Sequence, residues 1–268
     1  MSSIALGVTL RAFASKPESV EKTVAGVKKT LLNLDAVAAH DLFGPIVDVD
    51  IAVPTNKNFV DADCGELAPA LRVLVKSMEC TGISIHVHET NADLFCGLLN
   101  QMAAIQLRRD CTHTLVISTG CADYITLGNM QALVKAFRSG ARAAGLALNE
   151  LEESIMAGRL ANTFAGYDIL SLLTVGGFDF RCSNAPVSNS KKLAGVEEIP
   201  TLLRLASLYG ACIKPIMPEV KSTWALPTEP AELERHEAKM KSKFSRQTAF
   251  AEQLGCTFAD LEVAVMAD

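Results

Sequence analysis

Apolar and polar positions alternate along this chain in two periods. Ile4 to Leu10 is an apolar run of strand length. From Pro17 to Leu34, Val20, Val24, Val27, Leu31 and Leu32 recur at helical spacing, with lysines on the other face. Pro17 suits a first helical turn. Pro45 to Val53 alternates apolar with acidic residues, which predicts a strand with one polar face, and Pro54-Thr-Asn-Lys-Asn breaks it. The pattern continues with a helix over Gly65–Met78, a strand over Gly82–His88, a helix over Asp93–Leu107 and a strand over Thr114–Ser118. A helix over Asn129–Ala144 and a strand from Leu146 follow. Regular alternation of this kind predicts an α/β fold, a mainly parallel, doubly wound sheet with helices on both faces. Ligands of such sheets bind beyond the carboxyl ends of the strands.

The second half is less regular. An amphipathic helix is predicted from Asn162, running into Val175-Gly-Gly-Phe-Asp179. Arg181 to Lys192 is rich in Ser and Asn, contains Pro186 and reads as a loop. Gly195-Val-Glu-Glu then opens a second apolar helix. Pro215 to Pro230 holds four prolines and the only tryptophan, Trp224, and reads as irregular. Glu232 to Leu254 is a charged amphipathic helix with Leu233, His236, Met240 and Phe244 on one stripe. Two units are therefore expected: an α/β domain over 1–217, and a Pro-rich segment with a C-terminal helix over 218–268. That helix offers a surface for pairing with a second copy.

Composition narrows the classes. Hydrophobic residues make up 49% of 268, enough for a sizeable core, and the net charge is −5, against a nucleic-acid partner. Eight cysteines are widely spaced with no Cys-x-x-Cys, so no zinc knuckle, thioredoxin motif or disulfide framework is expected. The first residues lack a basic segment followed by a long apolar one, and no window approaches the ~20 apolar residues of a membrane span. A soluble, cytoplasmic protein is the expectation. Dinucleotide, P-loop and nucleophile-elbow glycine motifs are absent.

Several side chains are candidates for chemistry. Glu197 and Glu198 stand at a helix start, where they either compensate the helix dipole or supply one general base. Adjacent residues point differently, so at most one is a base. Asp48 and Asp50 share a strand face, as do His86 and His88 beside Glu89. Each pair suits either a polar strand face or part of a metal site. Asp61-Ala-Asp63 is a second acidic triplet.

The order Val175-Gly-Gly-Phe-Asp179, polar loop, Glu197-Glu198 resembles the second half of GT-A glycosyltransferases, especially the family 2 group within the nucleotide-diphospho-sugar transferases. Ile83 to Asn91, followed by Leu98-Leu-Asn-Gln-Met-Ala-Ala104, resembles that family's third strand and the Asn-bearing helix after it. The resemblance spans roughly residues 4 to 217. It implies transfer of a sugar from a nucleotide-sugar donor to an acceptor, with Glu197 or Glu198 as base. It places Arg11, Asp50, Asn100, Asp123, Asn162 and Asp179 around the nucleotide sugar. Arg181, Lys191 and Lys192 become candidates to neutralise the leaving group. The family's fourth strand ends in Asp-x-Asp, which holds a divalent cation, Mn²⁺ or Mg²⁺. Here it ends Val116-Ile-Ser-Thr-Gly-Cys-Ala-Asp-Tyr124, leaving Asp123 as the one acid nearby and a weak metal ligand at most. Either the site works without tightly held metal or the chain is a noncatalytic binding or assembly module with this fold.

Overall fold

The computed structural model describes residues 4–14, 19–40, 47–55, 65–92, 96–147, 160–182, 196–218, 229–257 and 259–267. Among them, seven strands form one sheet: β1 (Leu6–Arg11), β2 (Val47–Pro54), β3 (Ile83–Thr90), β4 (His113–Ser118), β5 (Ala143–Ala147), β6 (Leu160–Asp168) and β7 (Ile213–Ile216). Their order is β3-β2-β1-β4-β6-β5-β7. β6 pairs antiparallel with both β4 and β5, and every other pairing is parallel. The mainly parallel α/β sheet expected from the alternation is present.

The helices are α1 (Val20–Ala38), α2 (Leu67–Ser77), α3 (Cys96–Arg108), α4 (Leu127–Arg138), α5 (Ile169–Thr174), α6 (Glu198–Tyr209), α7 (Pro230–Gln253) and α8 (Ala259–Glu262). Leu6, Val8 and Leu10 of β1 project to one face, where Val27, Leu31 and Leu34 of α1 meet them in a core shared with α2 and α4. The opposite face carries a second core. Leu98, Leu99 and Met102 of α3, Leu172 of α5, and Ile199, Leu202 and Leu205 of α6 pack there over Val116, Ala165 and Tyr167. Phe250 and Ala251 of α7 and Leu261 of α8 join that second core, and Val265 bridges to Ile213 of β7. The end of α7 and the α8 segment thus pack on the α/β layer.

Three predicted segments differ from the structure. Asn162 to Asp168 is the second part of β6, and helix begins only at Ile169, where the Asp168 carboxylate caps the Ser171 N–H at 2.7 Å. This strand has neighbours on both edges and buried residues on both faces, so it shows no alternation. The helix after Thr126 stops at Arg138, and Gly140 (φ +95°) turns the chain into β5 at Ala143, earlier than Leu146. Pro215 lies inside β7, an outermost strand, where a residue without an N–H is tolerated.

Candidate functional site

The chain order reverses beside β1. β2 and β3 build outward on one side, and β4 then inserts on the other. The crevice above β1 and β4, at their carboxyl ends, is therefore the switch point where ligands of such sheets bind. Arg11 ends β1 and Ser118 ends β4, and the two are register partners on adjacent parallel strands. Their side chains leave the same face of the sheet. That face is the one covered by α3 and α6.

α6 delivers the carboxylate pair to this crevice. Glu197 Oε1 lies 3.4 Å from Arg11 Nη1, with both side chains largely buried. Glu198 turns away, and Gln247 of α7 donates its amide to Glu198 Oε1 at 3.4 Å. The two adjacent acids thus serve different neighbours. Tyr167 of β6 is fully buried close to both. Its phenol is pushed well above the ordinary value, first by burial and then by the Glu198 and Glu197 charges, with Arg11 opposing. Arg11, Tyr167, Glu197 and Glu198 form one electrostatic cluster.

The Gly-Gly-Phe-Asp turn holds α6 in place. Asn100 of α3 donates to the Phe178 carbonyl at 2.9 Å and accepts from the Phe178 N–H at 2.8 Å. Gly177 has φ +71°, and a Cβ there would overlap the Asn100 amide, so both the backbone angle and the space require glycine. The Asp179 carboxylate pairs with Arg204 of α6, and its carbonyl accepts from the Cys96 thiol. The buried Thr201 hydroxyl lies 3.2 Å from the carbonyls of Gly177 and of Glu197. Asn100 and Asp179 therefore clasp α3 to α6 beneath the carboxylate pair. Phe178 meets Tyr167 edge-on with centroids 5.3 Å apart.

Other sequence-predicted residues lie elsewhere. Asp50 is fully buried under α3, where His88 (2.6 Å), Gln106 (2.9 Å) and Arg109 (2.8 Å) engage its carboxylate. Burial alone would raise its pKa, but the His88 and Gln106 hydrogen bonds, with the His88 and Arg109 charges, bring it below the usual value. Asp48 continues this ladder toward His86 at 3.3 Å. Both strand-face pairs thus meet each other at the sheet–helix interface. Asp123 lies in a 3₁₀ turn over Thr119–Tyr124 and pairs with Lys29 of α1 at 2.6 Å, on an exposed surface. That turn packs on α1, where Asn33 donates to the Ala122 carbonyl at 2.8 Å. Asn162 is in β6, two residues before Phe164, the register partner of Ile117 in β4. Asp61, Asp63, Lys191, Lys192 and the side chains of Asn162 and Arg181 lie outside the described residues, as does most of the Arg181–Lys192 loop.

Sequence reasoning did not single out Lys29, Thr201, Arg204 or Gln247. Thr201 and Arg204 sit one and nearly two turns into α6, so helical spacing from Glu197 was an available signal. No local pattern connects Gln247 to Glu198, 49 residues away.

Among the described residues, the donors at the end of β4 do not fit a divalent cation: Ser118 and Thr119 offer hydroxyls, Asp123 is held by Lys29, and the register partner Arg11 is cationic and engages Glu197. Among the described residues, no group of three or more His, Cys, Asp or Glu is arranged to hold a metal ion. None of the described helices is long and apolar enough to cross a membrane. A cavity of about 320 Å³ opens at the opposite, amino edge of the sheet, lined by Cys111, His113, Asp168 and Leu170 among others.

No family model matches the chain, and no curated protein matches it. Among solved structures, it is similar to the mannosyltransferase PcManGT from Pyrobaculum calidifontis, a structure in complex with GDP-Man and Mn²⁺. The identity is 10%, the match covers 98% of this chain and 68% of that one, and the TM-score is 0.60. The likeness shows that the chain shares the α/β fold of that mannosyltransferase.

Proposed function

We propose that the protein transfers a sugar from a nucleotide-sugar donor to an acceptor hydroxyl, with Glu197 as general base. The carrying observation is the Arg11–Glu197 pair at the switch point above β1 and β4. The donor lies across the carboxyl ends of these strands, as the sheet topology favours. The acceptor oxygen attacks the anomeric carbon and forms the new glycosidic bond. Its proton passes to Glu197. The bond from the anomeric carbon to the phosphate oxygen breaks, and the nucleoside diphosphate leaves with the electron pair. Glu197 suits the proton transfer because it points to the crevice end of β1, whereas Glu198 is spent on Gln247. The clasp of Asn100, Asp179, Thr201 and Arg204 fixes the base, and fixed geometry is a large part of such catalysis.

A second reading, a noncatalytic binding module with this fold, is favoured by one observation: Glu197 and Glu198 are only 3% and 1% exposed. The two readings separate experimentally. A panel of nucleotide sugars, each at a hundred times its dissociation constant, should contain one that stabilises the protein by ~2.7 kcal/mol in thermal unfolding. With that donor, Glu197→Gln should lower transfer by ~10²–10⁴ while donor affinity is retained. Full transfer by this variant removes Glu197 as base. Donor binding by the wild type without transfer to any acceptor in a broad panel moves the protein to the binding-module class.

A further inference from the structure

Resting on the nucleotide-sugar reading, we infer that Arg11 takes the place of the divalent cation against the donor diphosphate, and that its ion pair with Glu197 makes the base available only once the donor is bound. The disagreement between the family's metal and these residues is specific in place. The position across from Arg11 in the sheet is Ser118, at the strand end where an acidic metal ligand would stand. Among the described residues, the acid that follows this strand, Asp123, faces α1 and is paired with Lys29, and the other carboxylate at this end of the sheet, Glu197, is engaged by Arg11 itself. A diphosphate in the crevice above β1 and β4 therefore meets a guanidinium where the family presents carboxylates and a metal.

The chemistry suits that exchange. A guanidinium is always charged and presents a planar fork of donors that matches phosphate oxygens. Arg11 is mostly buried, its side chain 12% exposed, so its charge acts through little water. It would neutralise charge on the leaving diphosphate without coordination. In the free protein the same guanidinium faces Glu197 at 3.4 Å, through one nitrogen. A carboxylate so engaged is turned toward Arg11 rather than toward an acceptor hydroxyl. When the diphosphate draws Arg11 toward the phosphates, this ion pair opens and the Glu197 carboxylate is released toward the acceptor hydroxyl. Donor binding thus activates the base, and the acceptor is productive only second. Water entering before the donor meets a base still held by Arg11.

The test uses the full chain and calorimetric titration with GDP, UDP, ADP, CDP and TDP, in EDTA and in Mn²⁺. The wild type should bind at least one of these equally well in both conditions. Arg11→Met should weaken that binding by ~10- to 100-fold, and Arg11→Lys should restore part of it. Glu197→Gln should tighten it by roughly three- to tenfold, because the diphosphate no longer competes with a carboxylate for Arg11. A merely structural ion pair would not produce that gain. The double variant Arg11→Met/Glu197→Gln removes both charges of the pair together, and its melting temperature is measured alongside binding; it should bind as weakly as Arg11→Met. Binding that EDTA abolishes, or that survives unchanged in the double variant, overturns the inference while leaving the nucleotide-sugar reading intact. Glu197→Gln binding no tighter than wild type overturns the coupling. Failure of the wild type to bind any of these nucleotides in either condition sinks the nucleotide-sugar reading itself, and the inference with it.

Discussion

Asn100 shows how one side chain can resemble a ligand contact and serve the scaffold. Its two amide ends meet the Phe178 carbonyl and N–H at 2.9 and 2.8 Å. That is the full complement a backbone segment offers, so the amide ties α3 to the turn before α6. Replacing Asn100 with Asp keeps the acceptor but sets a second oxygen against the Phe178 carbonyl. Stability should fall by ~1–3 kcal/mol, the usual cost of a lost partner in a half-buried site. Calorimetric unfolding checks it, and an unchanged melting temperature would show that the clasp contributes nothing. At this scale the adjacent acids were legible in sequence, because neighbours on a helix must diverge. Their partners were not. Arg11 lies 186 residues from Glu197 and Gln247 lies 49 from Glu198, and only the packed fold brings them together.

At the scale of elements, β1 to β4 were legible because apolar runs and alternation mark strands between helices of clear period. β5 and β6 were not. Ala143-Ala-Gly-Leu-Ala147 has little side-chain bulk, and Leu160 to Asp168 is flanked by strands and covered on both faces, so neither shows a period of two. β7 was hidden by Pro215. The last long helix is the instructive element, because its charged, proline-led sequence suggested an extension. In the structure, Gln247 is fully buried against Glu198, and Phe250 is fully buried in the second core. Phe250→Ala should therefore cost ~3–5 kcal/mol, the range for a large aromatic removed from a core. Denaturant titration measures it. A detachable helix would give a loss under ~1 kcal/mol and a separate early transition, and either result would return α7 to the status of an appendage.

For the whole molecule, buried ionisable groups set how folding responds to acid. His113, at the amino edge of β4, packs on Phe137 with centroids 4.2 Å apart, between Thr112, Asp168 and Arg142. Its pKa is lowered from 6.5, chiefly by burial; Asp168 acts the other way and Arg142 adds to the lowering. The unfolded chain therefore takes up this proton first. Stability is complete above about pH 6.5 and declines as pH falls from there toward the folded value. Asp50 behaves oppositely in origin but not in direction. Its pKa lies below 3.8 because hydrogen bonds and charges from His88, Gln106 and Arg109 outweigh burial. Its contribution is complete above about pH 4 and is lost as pH falls through the folded pKa. Melting temperature against pH should accordingly be flat near neutrality, fall below about 6.5, and fall again below about 4. His113→Gln should flatten the first decline, since the remaining amide does not titrate in that range. Asp50→Asn should lower the whole curve, because it removes a charge that Arg109 and His88 need, and should flatten the second decline. A wild-type curve level from pH 7 to 5, or a His113→Gln curve that falls as steeply as the wild type there, would show that the folded protein accommodates the His113 charge, by movement of Asp168 toward it from its present 3.9 Å.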